Sequence, residues 1–369
     1  MSEEDIKFPV YIKVTILLIG LFAFFTLLYI GRVIIVPVVF ATIFAIVLHP
    51  FVKFFVRFRI NRIIAIAIVL LLTFFVLAAF GALIISEAGK LSESWPVLVE
   101  KFTRLLNQNI SDAADYFNKD PQKIHEWISK TMSELINIST SAIGHSLFII
   151  GSALVVLFLI PVYIFLILYY QPLLLDFIHK LFGINNKSRV SEIISQIKNL
   201  IQRYLFGLFI EAVIVAALDT AALLILGIEY ALILGIIGAL LNTIPYIGGL
   251  VAVALPMIVA LVTKSSPIYA IYVLIGYYFI QLIDNHYIVP IIVASKVKIN
   301  ALFAIIVVLV GNAIWGIPGM FLAIPLLAIV KLICDHIESL KPWGFLLGYT
   351  MPPLLEIKKI LKKIIIKKP

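Results

Sequence analysis

The chain has 369 residues, of which 63% are hydrophobic and only 13% charged, with a mean hydropathy of +1.13. A soluble domain is roughly half apolar and about a quarter charged, so this composition excludes an ordinary water-soluble fold and calls for lipid as solvent. The formal charge of +9 comes from short loops and the C-terminal tail, with no aromatic-basic stripe. That distribution fits a positive-inside membrane protein in contact with anionic lipid rather than a nucleic-acid binder.

The first apolar run, Ile12 to Ile30, is preceded by Glu3, Glu4 and Asp5 rather than by a basic region, and no small-residue cleavage site follows. It reads as an uncleaved first span. A helix needs about 20 apolar residues to cross the hydrocarbon, and full spans are predicted near 12–30, 33–50, 63–85, 146–170, 205–227 and 268–290. The runs are continuous, not alternating, which predicts helices rather than a barrel.

Between the third and fourth spans, residues 86–145 form the one sizeable polar segment. Its helical spacing (Trp95, Leu98, Phe102, then Trp127, Ile128, Leu135) predicts short amphipathic helices on or near the outer surface. Two later apolar stretches, 231–262 and 300–331, are too long for one span and too short for two. The first is broken by Pro245, Gly248 and Gly249, the second by Gly311, Gly316, Pro318 and Gly319. Halves of about 11–14 residues make roughly 17–21 Å of helix, short of a crossing. Each stretch is therefore read as a re-entrant helical hairpin, and the two breaks are expected to pack against each other.

Charge sets the orientation. Residues 51–62 carry Lys53, Arg57, Arg59 and Arg62 with no acid; 171–203 and the tail are also basic, whereas 86–145 is acidic. With both hairpins re-entrant, all basic segments and both termini fall in the cytoplasm, the first hairpin opens outward and the second inward. The expected architecture is an all-α integral membrane protein. It has about six full spans, two oppositely oriented re-entrant hairpins and a small extramembrane helical insertion. It divides into helices of 1–85, the insertion 86–145, a transport core 146–335 and a basic amphipathic tail 336–369 suited to the anionic inner leaflet.

Ionisable groups inside a span are costly and usually mark a pathway or a site. Three qualify: Glu211 and Asp219 in the fifth span, Asp284 in the sixth. Glu211 and Asp284 each lie about six residues, or about 9 Å, from the cytoplasmic end of their helices. If those helices are neighbours, the two carboxylates can share a proton or a cation; Arg203, Lys296 or Lys298 could instead neutralise one of them. Asn242, Thr243, Asn285 and Asn312 supply hydrogen-bonding groups for a neutral polar substrate. Broken helices within a bundle are the recurring mark of a transporter site. A metal centre, a cofactor and an enzymatic nucleophile–base pair are not expected. The only cysteine is Cys334, and the six histidines (His49, His125, His145, His179, His286, His336) never pair at ligand spacing.

The residues around the breaks resemble the autoinducer-2 exporter (AI-2E) family, or PerM-type permeases. The resemblance rests on Tyr204-Leu205-Phe206-Gly207, Leu226 to Leu232, Asn242 to Gly249, Gln281 to Asn285 with Val289-Pro290, and Gly316 to Pro325. It implies a multi-pass transporter of the bacterial inner membrane, assembled as a homo-oligomer (a pentamer). The cargo would be a small polar metabolite such as autoinducer-2, or Na⁺ or Li⁺ exchanged for protons. Many relatives carry glutamine after the glycine equivalent to Gly207. Here Leu208 stands there and Glu211 follows, which favours a cation or proton role. A channel or a non-transporting membrane scaffold is the alternative of another class.

Overall fold

The computed structural model describes residues 9–117, 158–182, 187–244, 248–264, 266–293 and 299–348. Pro245, Lys296, Lys298, most of the insertion beyond Phe117 and the tail beyond Gly348 lie outside them. The described residues are helical, with one isolated bridge between Ile299 and Gly348. In chain order the helices are α1 (Val10–Ile30), α2 (Arg32–Arg57), α3 (Arg62–Phe117), α4 (Phe158–Tyr169), α5 (Gln171–Leu181), α6 (Lys187–Ile225), α7 (Ala231–Asn242), α8 (Gly248–Thr263), α9 (Ile268–Ile283), a π-helical segment (Asp284–Val293), α10 (Ala301–Trp315), α11 (Ile317–His336) and α12 (Lys341–Leu347). Among the described residues five helices are long and apolar enough to cross a membrane: α2, α3, α6, α9 with its π extension, and α11. A sixth span arises if α4 and α5, bent by 64° at Tyr170, act as one.

The reversal expected between the first two spans is absent. Gly31 alone separates α1 from α2. Its N–H donates to Leu27 O at 2.8 Å, and its own carbonyl accepts from Ile35 N–H at 2.9 Å. These are helical i→i+4 bonds on either side, so the backbone runs on. A helical hairpin needs a loop of about 2–5 residues, and Arg32 stacks on the Tyr29 ring at 4.8 Å rather than opening one.

α2 reverses into α3 through Phe58–Asn61, where Arg59 takes a left-handed φ of 63° and Asn61 Oδ1 accepts from Ile63 N–H at 3.0 Å. α3 then runs for 56 residues, about 84 Å. The helix runs past 85/86 without a break, so up to Phe117 the segment expected to form short helices continues α3. Glu87, Ala88, Lys90 and Glu93 favour helix, and the predicted apolar stripe packs on the bundle instead of a membrane surface. Leu91 and Leu98, flanked by Trp95 and Phe102, share a buried cluster with Leu223, Ile233, Leu234 and Val259. Tyr230 donates its hydroxyl to Ser94 Oγ at 2.6 Å.

The bundle has two distinct ends. At one, Arg62 donates to Leu168 O at 2.6 Å and Arg189 to His336 O, joining 51–62, 171–203 and the end of α11. Asn300 N–H meets Leu347 O there at 2.9 Å, so α10 leaves from the end to which α11 and α12 return. At the other end, Lys264 Nζ comes close to Gly227, so α8 returns to where α7 began.

Two details of these helix pairs differ from expectation. α10 and α11 have 15 and 20 residues, about 22 and 30 Å, longer than the halves foreseen. The chain turns at Gly316 alone, with φ 67° and ψ −145°, whereas Gly311, Pro318 and Gly319 are helical; Pro318 sits in the first turn of α11, where its missing N–H costs nothing. Nor do the two breaks meet through their described residues. Gly249 abuts Gln281 of α9, while Trp315 Nε1 donates to Leu28 O of α1 at 3.0 Å. The pairs occupy different halves of α6: α7 lies along Ala216 to Thr220, and α11 packs Leu322 on Ile201.

Candidate functional site

α6 buries one continuous stripe: Tyr204, Gly207, Leu208, Glu211, Val215, Asp219 and Leu223. Steps of four residues keep side chains on one face, so Glu211 and Asp219 share that stripe about 12 Å apart along the axis. α9 answers with Tyr277 and Gln281, and the π-helical segment that continues it with Asp284, at i, i+4 and i+7; α7 answers with Gly235, Gly238 and Asn242. The site is where these three faces converge beside the first helix break.

Glu211, Asp219 and Asp284 are 5%, 3% and 2% exposed, the only buried charged residues among those described. Asp284 lies within electrostatic range of both others. Its Oδ2 accepts from Asn242 Nδ2 at 3.0 Å, while Oδ1 has no hydrogen-bond partner among the described residues. Asp219 faces α7 where there is no side chain: a Cβ on Gly238 would stand 2.9 Å from its Oδ2 and 3.6 Å from the Tyr277 hydroxyl. A Cβ on Gly235 would stand 2.2 Å from Thr220 Oγ1. The two glycines let α7 lie directly on the polar stripe, and both the Tyr277 and Thr220 hydroxyls are buried without a partner. Gly249 does the same at the break, where Gln281 Oε1 and Asn242 Oδ1 would lie 2.6 and 3.5 Å from a Cβ.

Below the carboxylates, the π-helical segment crosses α6 at Gly207, whose missing side chain admits the Ile292 carbonyl; a Cβ would stand 2.7 Å from that oxygen. Pro290 sits within this segment and brings no N–H to it. Gln202, Arg203, Phe206, Gly207, Ile210 and Ile292 line an open depression of about 590 Å³ here, one turn from Glu211.

Among the described residues no lysine or arginine pairs with any of the three acids; Arg203 is exposed at the rim of the depression. Asn285 and Asn312 are exposed, and Thr243 donates to Leu240 O of its own helix at 2.6 Å. Tyr277, Gln281 and Thr220 escaped the sequence reading as site residues. Their signal was the polar i, i+4, i+7 stripe ending at Asp284 and the position of Thr220 next to Asp219. Among the described residues no three His, Cys, Asp or Glu side chains group as a metal site. Carboxylates, amides and hydroxyls suit protons, hard monovalent cations and hydroxylated solutes.

Comparison with known proteins bears on what passes through. Residues 17–339 match the family described as AI-2E family transporter. The chain is 24% identical over 308 residues to YueF of Bacillus subtilis (strain 168), covering 80% of this chain and 82% of that protein. It is 22% identical over 317 residues to the AI-2 transport protein TqsA of Escherichia coli (strain K12), covering 82% and 86%. With YhhT of the same strain it shares 21% identity over 331 residues, covering 86% and 89%.

Proposed function

This chain belongs to the AI-2E family of transporters, and on that premise we propose that it is a secondary transporter of the cytoplasmic membrane. It moves a small polar metabolite, with Glu211, Asp219 and Asp284 as the groups that couple transport to a proton or a monovalent cation. The observation that carries the reading is the convergence of three buried carboxylates, free of any cationic partner among the described residues, beside a helix break. Acids kept where each costs stability serve exchange better than packing. Autoinducer-2 heads the substrate class because one relative's name gives it as cargo; Asn242, Gln281, Tyr277 and Thr220 offer the donors and acceptors a hydroxyl-rich solute needs. Exchange of Na⁺ or Li⁺ for protons is the second reading, favoured by three buried carboxylates with no cationic side chain paired to them among the described residues.

The test is counterflow in proteoliposomes, with furanones and alkali cations screened at stepped pH. Glu211→Gln and Asp284→Asn are each expected to abolish the pH dependence of flux while the protein still purifies as a folded species. Wild-type flux with an unchanged pH profile in both variants would make the acids structural and sink the proposal.

In this reading the basic end of the bundle faces the cytoplasm and both helix pairs are re-entrant, the α7–α8 pair from outside and the α10–α11 pair from inside. In a Cys334→Ser background, an impermeant thiol reagent applied to intact cells is expected to reach Glu100→Cys and to miss Lys180→Cys. The opposite pattern would invert the orientation.

A further inference from the structure

At the basic end three helices bring basic residues together with no acid among them. Arg62, opening α3, is committed to protein: its Nη2 donates to Leu168 O at 2.6 Å and to Gln171 Oε1, the first residue of α5, at 3.1 Å. Gln171 in turn faces His49 of α2. His49 lies in the field of Lys198, Arg62 and Lys53, and no carboxylate acts on it. Lys53, one turn further along α2, and Lys198 of α6 are near enough to repel each other. Neither lysine has an ion-pair partner among the described residues. Asp176 of α5 pairs with Lys180 at 2.8 Å, and Glu192 near the start of α6 accepts from Gln196 at 3.1 Å.

Packing, not chance, holds these cations together. Gln202 Nε2 donates to Ile46 O at 2.6 Å, pinning α6 to α2 one turn above the cluster, and Val52, Ala65 and Leu168 bury the contact of α2 with α3 and α4. Like charges fixed side by side repel unless an anion lies between them. The surroundings say which kind of anion. Phe51, Phe54, Phe58 and Phe206 are exposed beside the cluster, with the Phe51 and Phe206 rings 6.1 Å apart. A freely soluble anion gains nothing from such rings, whereas acyl chains do.

We propose that His49, Lys53 and Lys198 form a phosphate site at the basic end of the bundle, occupied by the headgroup of an anionic phospholipid whose chains lie along the exposed phenylalanines. Lys53 and Lys198 supply the charge, and Arg62 and Gln171 hold the helices that place them. Free phosphate shares the headgroup's chemistry, so the experiment separates the two.

Full-length protein in detergent is titrated with phosphatidylglycerol or phosphatidylcholine and read by native mass spectrometry, with and without excess inorganic phosphate. Phosphatidylglycerol is expected to bind more tightly. The double change Lys53→Gln and Lys198→Gln is expected to weaken it about 30-fold, taking roughly 1 kcal/mol per lysine at tenfold per 1.4 kcal/mol. Lys53→Arg with Lys198→Arg should keep the affinity, and Lys264→Gln at the opposite end should not change it. Should the double variant fail to fold, Lys53→Gln alone, at an exposed position, is expected to lose about fivefold on the same scale. If inorganic phosphate displaces the lipid and itself raises the melting temperature of the wild type only, the anion site stands and the lipid as its occupant is overturned. Equal affinity of wild type and glutamine variants, or no preference over phosphatidylcholine, overturns the site itself.

Discussion

Gly319→Leu should stop the α10–α11 pair from closing and remove most of the folded protein. A Cβ on Gly319 would stand 2.0 Å from Gly311 O, 2.6 Å from its carbonyl carbon and 2.9 Å from Trp315 Cβ, and a Cβ on Gly311 would stand 2.5 Å from Gly319 O. The obstacles are backbone atoms, which cannot rotate aside as the tip of a side chain can. Overpacking usually costs about 1–3 kcal/mol, and a leucine here falls at or beyond the upper end. Size-exclusion in detergent should show the monodisperse peak lost for Gly319→Leu and kept for Gly81→Leu, whose position has nothing within 4 Å. A normal peak and melting temperature for Gly319→Leu would mean that the two helices do not touch. At the first break a Cβ on Gly248 would lie 1.9 Å from Leu241 O, so Gly248→Leu should impair folding before it impairs transport. Gly316 has open space around it, but its φ of 67° strains any side chain there by roughly 1–2 kcal/mol.

Asn242→Leu should be the most damaging single change within the carboxylate cluster. Asn242 gives Asp284 its one hydrogen bond on the described residues, at 3.0 Å, and the other carboxylate oxygen is already without one. Hydrogen bonds to charged groups contribute about 1.5–3 kcal/mol, and an orphaned buried group adds a further penalty, so a loss of about 3 kcal/mol is expected. A double-mutant cycle isolates the contact. Once Asp284→Leu has removed the carboxylate, Asn242→Leu should cost about 2 kcal/mol less, within the range of coupled neighbours. Additive losses would show that the bond is not formed. Flux should fall with Asn242→Leu even at temperatures where the variant remains folded, since Asn242 also borders the break at Gly249.

Composition and apolar run length were enough to read the solvent, the helical class and the position of the breaks, because lipid leaves so few ways to satisfy a backbone. The buried acids were legible for the same reason: each is an exception to a rule that lipid enforces strictly. What escaped was governed by contacts between elements. Arg32 looks like a loop residue until Gly31 is seen to carry helical hydrogen bonds on both sides. The stripe of Leu91, Trp95, Leu98 and Phe102 was found, but whether it covers lipid or protein depends on α7 and α8, which lie more than a hundred residues away. Gly311 and Gly319 were read as breakers from their chemistry alone; in fact they are helical positions where two backbones meet. Tyr277 and Thr220 are ordinary in their own helices and become polar-site residues only once Gly235 and Gly238 bring α7 against them.

The unbroken course of α3 has a mechanical consequence. A rod of 56 residues is about 84 Å long, so a tilt of about 5° around its Arg62 end swings its far end through roughly 7 Å. The near end is clamped by Arg62 to Leu168 and Gln171, which makes it the fulcrum. Further out, Leu91 and Leu98 grip the α7–α8 pair. Any rocking of that pair is therefore magnified beyond Phe102, and any load applied to the distal part of α3 returns, reduced in travel and increased in force, to the helix that carries Asn242.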